Sequence, residues 1–403
     1  MEDNNSPRIG DVPLENRQEL FIKKLNRCSE FFDFKPLEGH FKAKQSLSDI
    51  RQSRVAPAGI LAKIETLFKR DSMLKEMSDY VLTLESLPDD AVCKIMKMLR
   101  SKLFFRPFPS HTTVVSKTEN KNLYDNGEKM PLVEAAWDHL RNFYEFLQII
   151  VDAGLLRKEH IDDGFITWFF NTAVLADDNR EACFVADLLP TFWAKFPKKQ
   201  QSIWRTVRSN LSRYVADRKS CIPSAVGEML QFASDRIPEW PVPLQEEHNH
   251  FLRLVLIPMH RIKAYPSYSP WLQLCLVRFL KKEGSLVNLI FEGILSGDHI
   301  CESSLLNEIK ALMAIGNINE ISQSNAELLF GCIAKTLRSS DVKVVRKGLD
   351  IASSRRFLEL AEIHRELSLP VIRMGLQCAI ENNSARVAAK HILERFYNVE
   401  DAF

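Results

Sequence analysis

Apolar positions recur at helical spacing through most of the chain. In the clearest window, Leu272, Cys275, Leu276, Phe279 and Leu280 fall at i, i+3, i+4, i+7 and i+8, which places them on one face of a helix. Ser269 reads as its N-cap and Pro270 sits in its first turn, while Lys281 and Lys282 close it at the negative end of the helix dipole. A second window shows how helices are joined. Ser324 and Glu327 form a capping-box signature ahead of a stripe of Leu328, Leu329, Cys332, Ile333, Thr336 and Leu337. The turn Ser339, Ser340 and Asp341 then leads into a helix with Val342, Val345 and Leu349 inward. Similar turns open at Asp177 and Asn382. Each helix pair supplies half a core and must bury its face against the next, so the pattern predicts an all-α chain built as a helical-repeat solenoid.

Two regions break the periodicity. Residues 106–131 are rich in proline, serine, asparagine and charge, which reads as a long exposed loop between repeats. Residues 1–17 read as a disordered tail, leaving 18–399 for the repeats. A chain of 403 residues exceeds the size at which a single compact core stops growing, in keeping with an elongated stack.

Composition narrows the function. Lys and Arg total 54 against 52 Asp and Glu, and the basic residues are spread along the chain, so neither nucleic acid nor an anionic membrane is indicated as a partner. No apolar run approaches the roughly 20 residues of a membrane span, and the N-terminus has neither the basic start nor the apolar core of a signal peptide. Eight cysteines stand singly, without the paired spacing of zinc or redox motifs, and read as reduced buried thiols of an intracellular protein. Glycine-rich phosphate loops, a serine elbow and a nucleophile–base pair are absent from the sequence, so no catalytic residue, cofactor or metal is expected. His248 and His250 lie beside Glu246 and Glu247, but at two residues apart on a helix they point to different faces.

Residues Pro243 to Lys263, PLQEEHNHFLRLVLIPMHRIK, join an acidic turn to a densely apolar helix that closes on Pro258, Met259 and His260. This stretch resembles the B-prime (56-kDa) regulatory subunits of serine/threonine protein phosphatase 2A. The same family is resembled, in order, by QELFIKKLNRCSEFFDF from Gln18, LVEAAWDHLRNFYEF from Leu132, DDNREACF from Asp177, SYSPWLQLCLVRFLKKEGSL from Ser267 and LLNEI from Leu305. Asp341 followed by Lys347 is similar to the turn and second helix of HEAT repeats, in which the acidic residue caps a helix and the basic one links neighbouring repeats.

The resemblance implies a HEAT-like solenoid that is not an enzyme. It would dock on the phosphatase scaffold and catalytic subunits and direct the choice of substrate proteins, in the cytoplasm and the nucleus. Because the family turns its inter-helix loops toward those partners, the candidates by position are Trp137, Asp177, Asp178, Arg180, Glu181, Glu246, Glu247 and His248. The alternative for Glu246 and Glu247 is stabilisation of a helix N-terminus, and for Trp137 packing.

The family's short-motif peptide pocket is altered. Its histidine and arginine positions hold Pro190 and Thr191, its tyrosine position Trp193 and its second arginine position Gln200. In the next repeat the glutamate and isoleucine positions hold Gln231, Phe232 and Arg236, and the acidic run before the second repeat is replaced by Gly127, Glu128, Lys129 and Met130. Losing a guanidinium that pairs with carboxylate removes about 1.5–3 kcal/mol, so docking is expected to persist while peptide reading changes or is lost. The rival reading is a helical-repeat adaptor unrelated to phosphatases, since such folds host many functions.

Overall fold

The computed structural model describes residues 7–30, 32, 57–103, 124–125, 128–129, 137–176, 178–217, 223–296, 303–381 and 386–398. The chain divides into two compact units, Met1–Glu228 and Met229–Phe403. Among the described residues both are helical apart from a short ladder in which Tyr124–Asp125 pairs antiparallel with Glu128–Lys129.

In the first unit, α1 (Leu14–Ser29) packs on both α2 (Ala58–Val81) and α3 (Asp89–Leu103), and α2 and α3 support α4 (Trp137–Asp152). Helix α5 (Asp163–Leu175) packs on α6 (Asn179–Asp187) and on α8 (Gln200–Ala216), while α7 (Leu189–Lys195) rests on α4. Phe169 is the hinge of the core here, stacked with Phe165 and Phe192 at centroid distances of 5.7 and 5.3 Å. Burying such rings supplies most of the driving force for the stack.

Helix α9 (Pro223–Arg236) leads into the second unit. There α10 (Glu246–Phe251) passes through a π-helical turn, Leu252–Leu256, into α11 (Ile257–Met259). The sequence predicts one unbroken helix here. Pro258 has no N–H to give and its ring crowds the preceding turn, which accounts for the interruption. Then α12 (Tyr265–Lys282), α13 (Val287–Leu295), α14 (Ser303–Ile315), α15 (Gln323–Leu337), α16 (Val342–Ala352), α17 (Arg355–Ile363), α18 (Arg365–Glu381) and α19 (Arg386–Asn398) follow. They stack in two alternating series: α12 on α14 on α16 on α19, and α11 on α13 on α15 on α18. Each helix packs on the next but one until α17, which both series pass over, and this stacking is the repeat architecture expected from the sequence.

Local details refine the reading. Leu272, Cys275, Leu276, Phe279 and Leu280 are all buried, but α12 starts one turn early, with Pro266 in its first turn, so Ser269 and Pro270 lie inside the helix. The Ser269 hydroxyl donates to the Pro266 carbonyl at 3.3 Å, supplying the donor that Pro270, with no N–H, cannot give it. The cap of α15 is Ser322, not Ser324: its side chain accepts from Asn325 N. Leu328 and Val342, expected inward, are 40% and 41% exposed. Asp341 caps α16, and Lys347 Nζ donates to Ser303 O of α14 at 3.0 Å, a link between neighbouring repeats.

In the expected tail at 1–17, the described residues from 7 on differ most. Ile9–Asp11 forms a 3-10 turn, Leu14 begins α1, and Ile9 is fully buried with its N–H on Glu76 Oε1 at 2.5 Å. Glu76 also takes the buried Lys24 ammonium at 2.6 Å, so one carboxylate ties the N-terminal segment, α1 and α2 together. Most of the loop expected at 106–131 lies outside the described residues.

Close helix approach in the second unit depends on glycine. A Cβ at Gly293 of α13 would overlap the Ile257 Cγ2 methyl and meet its Cδ1 at 3.1 Å. Because a β-branched side chain has little rotamer freedom, Ile257 cannot swing away. Gly293→Ala is therefore expected to lose about 1–3 kcal/mol to overpacking, more than the roughly 1 kcal/mol gained in helix propensity. A lower urea midpoint at unchanged slope is the expected reading.

Candidate functional site

The first unit gathers one cluster where α4 and α6 begin. Asp178 precedes α6 in extended conformation and accepts from Arg180 N at 2.8 Å as the helix N-cap. Its carboxylate then holds the Arg180 guanidinium, Nε at 3.1 Å and Nη2 at 2.7 Å. The guanidinium lies 5.6 Å over the Trp137 ring, which packs edge-on against Phe184. Glu181 is buried and accepts from Tyr144 Oη at 2.6 Å, locking α6 to α4. The result is a guanidinium fixed between a carboxylate and an indole, with its side chain 46% exposed.

Trp137 is buried by its own chain, which is its packing alternative; Asp178 and Glu181, expected to face a partner, are buried as well, and Arg180 is the member whose charge reaches the surface. Asp177 lies outside the described residues. Asp178→Ala removes a cap and half of an ion pair, an expected loss of about 1–2 kcal/mol readable as a lower thermal midpoint.

In the second unit, Gln245 caps α10 in a box with His248: the Gln245 side chain accepts from the His248 backbone, and His248 Nδ1 accepts from Gln245 N at 3.2 Å. His248 is buried and stacked on Trp240 with ring centroids 4.1 Å apart and planes 7° from parallel. It therefore shapes the turn from within, a correction to its expected outward role. Glu246 and Glu247 occupy the first turn with side chains 86% and 50% exposed. Their charge favours the helix N-terminus, the first of the two alternatives, and both side chains reach the surface. His250 faces outward near Glu246 at 3.5 Å, on another face from His248 as expected. Among the described residues no group of three or more His, Cys, Asp or Glu could hold a metal ion.

The positions expected to form an altered peptide pocket fall in both units. In the first unit Pro190 is exposed, Thr191, Trp193 and Gln200 are half-buried, and Gln200 Nε2 donates to Trp193 O at 3.0 Å. In the second unit Gln231 is half-buried, Phe232 is buried, and Arg236 lies 5.6 Å over the Phe232 ring while pairing with Glu239 at 2.8 Å.

One buried constellation escaped the sequence reading. His260 closes α11, with Nε2 3.1 Å from each Glu308 oxygen and Nδ1 2.8 Å from Ile257 O. Tyr265 Oη donates to Glu308 Oε2 at 2.5 Å, and Glu308 is wholly buried. Burial opposes charge on His260, but the Glu308 carboxylate and hydrogen bonds to it outweigh that and raise its pKa above the usual value. The available signal was a lone glutamate inside the apolar run Leu305–Ile309, opposite a histidine behind Pro258 and Met259.

The family model for the protein phosphatase 2A regulatory B subunit (B56 family) matches residues 62–402. The chain belongs to the B56 family. Among B56 relatives, the protein phosphatase 2A 56 kDa regulatory subunit delta isoform of Oryctolagus cuniculus is 27% identical over 374 residues, covering 91% of this chain and 58% of the relative. The B' gamma isoform of Arabidopsis thaliana is 26% identical over 380 residues, covering 91% of this chain and 66% of the relative. Its B' delta isoform is 26% identical over 407 residues, covering 98% and 78%. The chain thus spans about three-fifths of the length of the rabbit protein it matches. The B56 match takes in both clusters described above and the His260–Glu308 pair.

Proposed function

We propose that this chain is a non-catalytic regulatory subunit of protein phosphatase 2A that docks on the scaffold and catalytic subunits and directs substrate choice. The observation that carries the reading is the B56 family match from 62 to 402, which spans both units and the capped turns that present Arg180, Glu246 and Glu247. In this reading Trp137, Asp178, Glu181 and His248 hold those three in place, and the exposed charges meet Arg, Lys or carboxylate groups of the partners. Side chains fixed by their own fold lose little freedom on binding, which favours affinity. The described cysteines are unpaired, which suits the reducing cytoplasm and nucleus.

Recognition of the usual short motif is changed or lost in this proposal. Pro190, Thr191 and Gln200 offer no cation, and Arg236 is already engaged with Glu239. Size-exclusion chromatography with light scattering, using purified scaffold and catalytic subunits, tests the assembly. A stoichiometric ternary peak supports it, and elution of the chain alone at micromolar concentration overturns it in favour of an unrelated adaptor. The motif peptide binding with ordinary affinity, lost on Trp193→Ala, overturns the altered pocket.

A further inference from the structure

A groove of about 580 Å³ in the first unit is lined by none of the candidate site residues. One wall is α3, which lines it with Val92, Met96, Arg100 and neighbours at i, i+4 and i+8; the other is the segment carrying Glu159, His160 and Asp162. Val92 and Met96 are buried and give it an apolar floor. Lining that spans residues 92–101 of a helix makes the groove about 13 Å long at 1.5 Å per residue. That length matches about four residues of extended chain.

The charges at its rim are unequal in availability. Asp162 is taken by Arg100 Nη2 at 2.6 Å and by Phe165 N at 2.6 Å, and these bonds hold its pKa low. Glu159 pairs with Lys158 at 3.3 Å. The side chain of His160 is largely buried, and burial followed by the nearby Arg157 charge lowers its pKa, so it is neutral at neutral pH. Lys97 is exposed and makes no ion pair or hydrogen bond with the described residues. The acids are neutralised where they stand, and a cation is left over.

We infer that this groove docks an extended peptide segment of another protein in which apolar residues alternate with acidic ones. Successive side chains of an extended chain point to opposite sides, so the apolar ones enter the floor while carboxylates stay at the rim near Lys97. An elongated trough along a helix suits a peptide better than a compact small molecule.

The probe is a fluorescein-labelled hexapeptide of alternating leucine and aspartate, titrated by anisotropy against the full chain. Its control exchanges aspartate for lysine. The expected result is saturable binding, weakened about tenfold by Lys97→Glu and by the control peptide, and weakened again at high salt. A second reading needs no variant. Cys93 lines the same groove and is exposed, so bound peptide is expected to slow its alkylation severalfold. No saturable binding up to millimolar peptide overturns the inference. So does binding that ignores Lys97→Glu and leaves Cys93 alkylation unchanged. Capture of an aryl carboxylate but not of the peptide overturns it in favour of a small amphiphile.

Discussion

Replacing Glu308 with alanine is expected to destabilise the 229–403 unit by about 3–5 kcal/mol, the loss typical of breaking a buried ion pair by removing one partner. The variant strands His260 and the Tyr265 hydroxyl, both of which use Glu308 as acceptor inside a fully buried site. Urea melts read the loss. Its pH dependence carries a sign that a mere cavity lacks. The folded protein raises the His260 pKa above its unfolded value, so protonation stabilises the fold; the contribution is complete below the unfolded value of about 6.5 and fades as pH rises through the folded one. Without Glu308, burial opposes the charge and only backbone hydrogen bonds such as that to Ile257 O still favour it. The gap between wild type and Glu308→Ala is therefore expected to widen as pH falls from about 8 to 6. A gap that does not change with pH would show that His260 is neutral throughout.

Reversing both acidic charges of α10, with Glu246→Lys and Glu247→Lys, is expected to weaken binding to the scaffold–catalytic dimer by about 10- to 100-fold. Their exposure predicts little change in folding, since surface substitutions usually stay within about 0.5 kcal/mol, with a modest further loss from reversed charge at a helix N-terminus. Biolayer interferometry at two salt concentrations checks both parts: the wild-type affinity falls with salt and that of the variant falls less. Unchanged affinity would leave these carboxylates with the dipole alone. Partial rescue by acidic substitution of a facing lysine or arginine on the partner would locate the contact.

The all-α repeat class was legible because each helix needs an apolar stripe, and a stripe such as Leu272 to Leu280 survives any error in its boundaries. Boundaries were less legible. Ser324 and Ser322 offer the same hydroxyl two residues apart, and which of them caps α15 depends on where the preceding chain, held by Asn288, delivers the backbone. The candidate site was legible as positions and not as orientations. Nothing in the order Asp178, Asn179, Arg180, Glu181 says that Glu181 turns inward to Tyr144 and Arg180 outward over Trp137. Likewise, a histidine after two glutamates reads as surface until Trp240, earlier in the chain, is seen stacked on it. The His260–Glu308 pair was hidden by sequence separation, since each residue alone looks like an ordinary polar interruption.

The alternating packing of α12 to α19 has a consequence for motion. A helix that leans only on elements nearby in sequence cannot borrow stability from the far end of its array, so opening spreads from neighbour to neighbour. Amide hydrogen exchange across the second unit should then be graded. Protection is expected to be greatest around α14 and α15, where buried side chains are enclosed by helices on both sides, and to fall toward α19, which has stacked neighbours on one side. A chain built this way can yield locally at one end while the middle of its array stays closed.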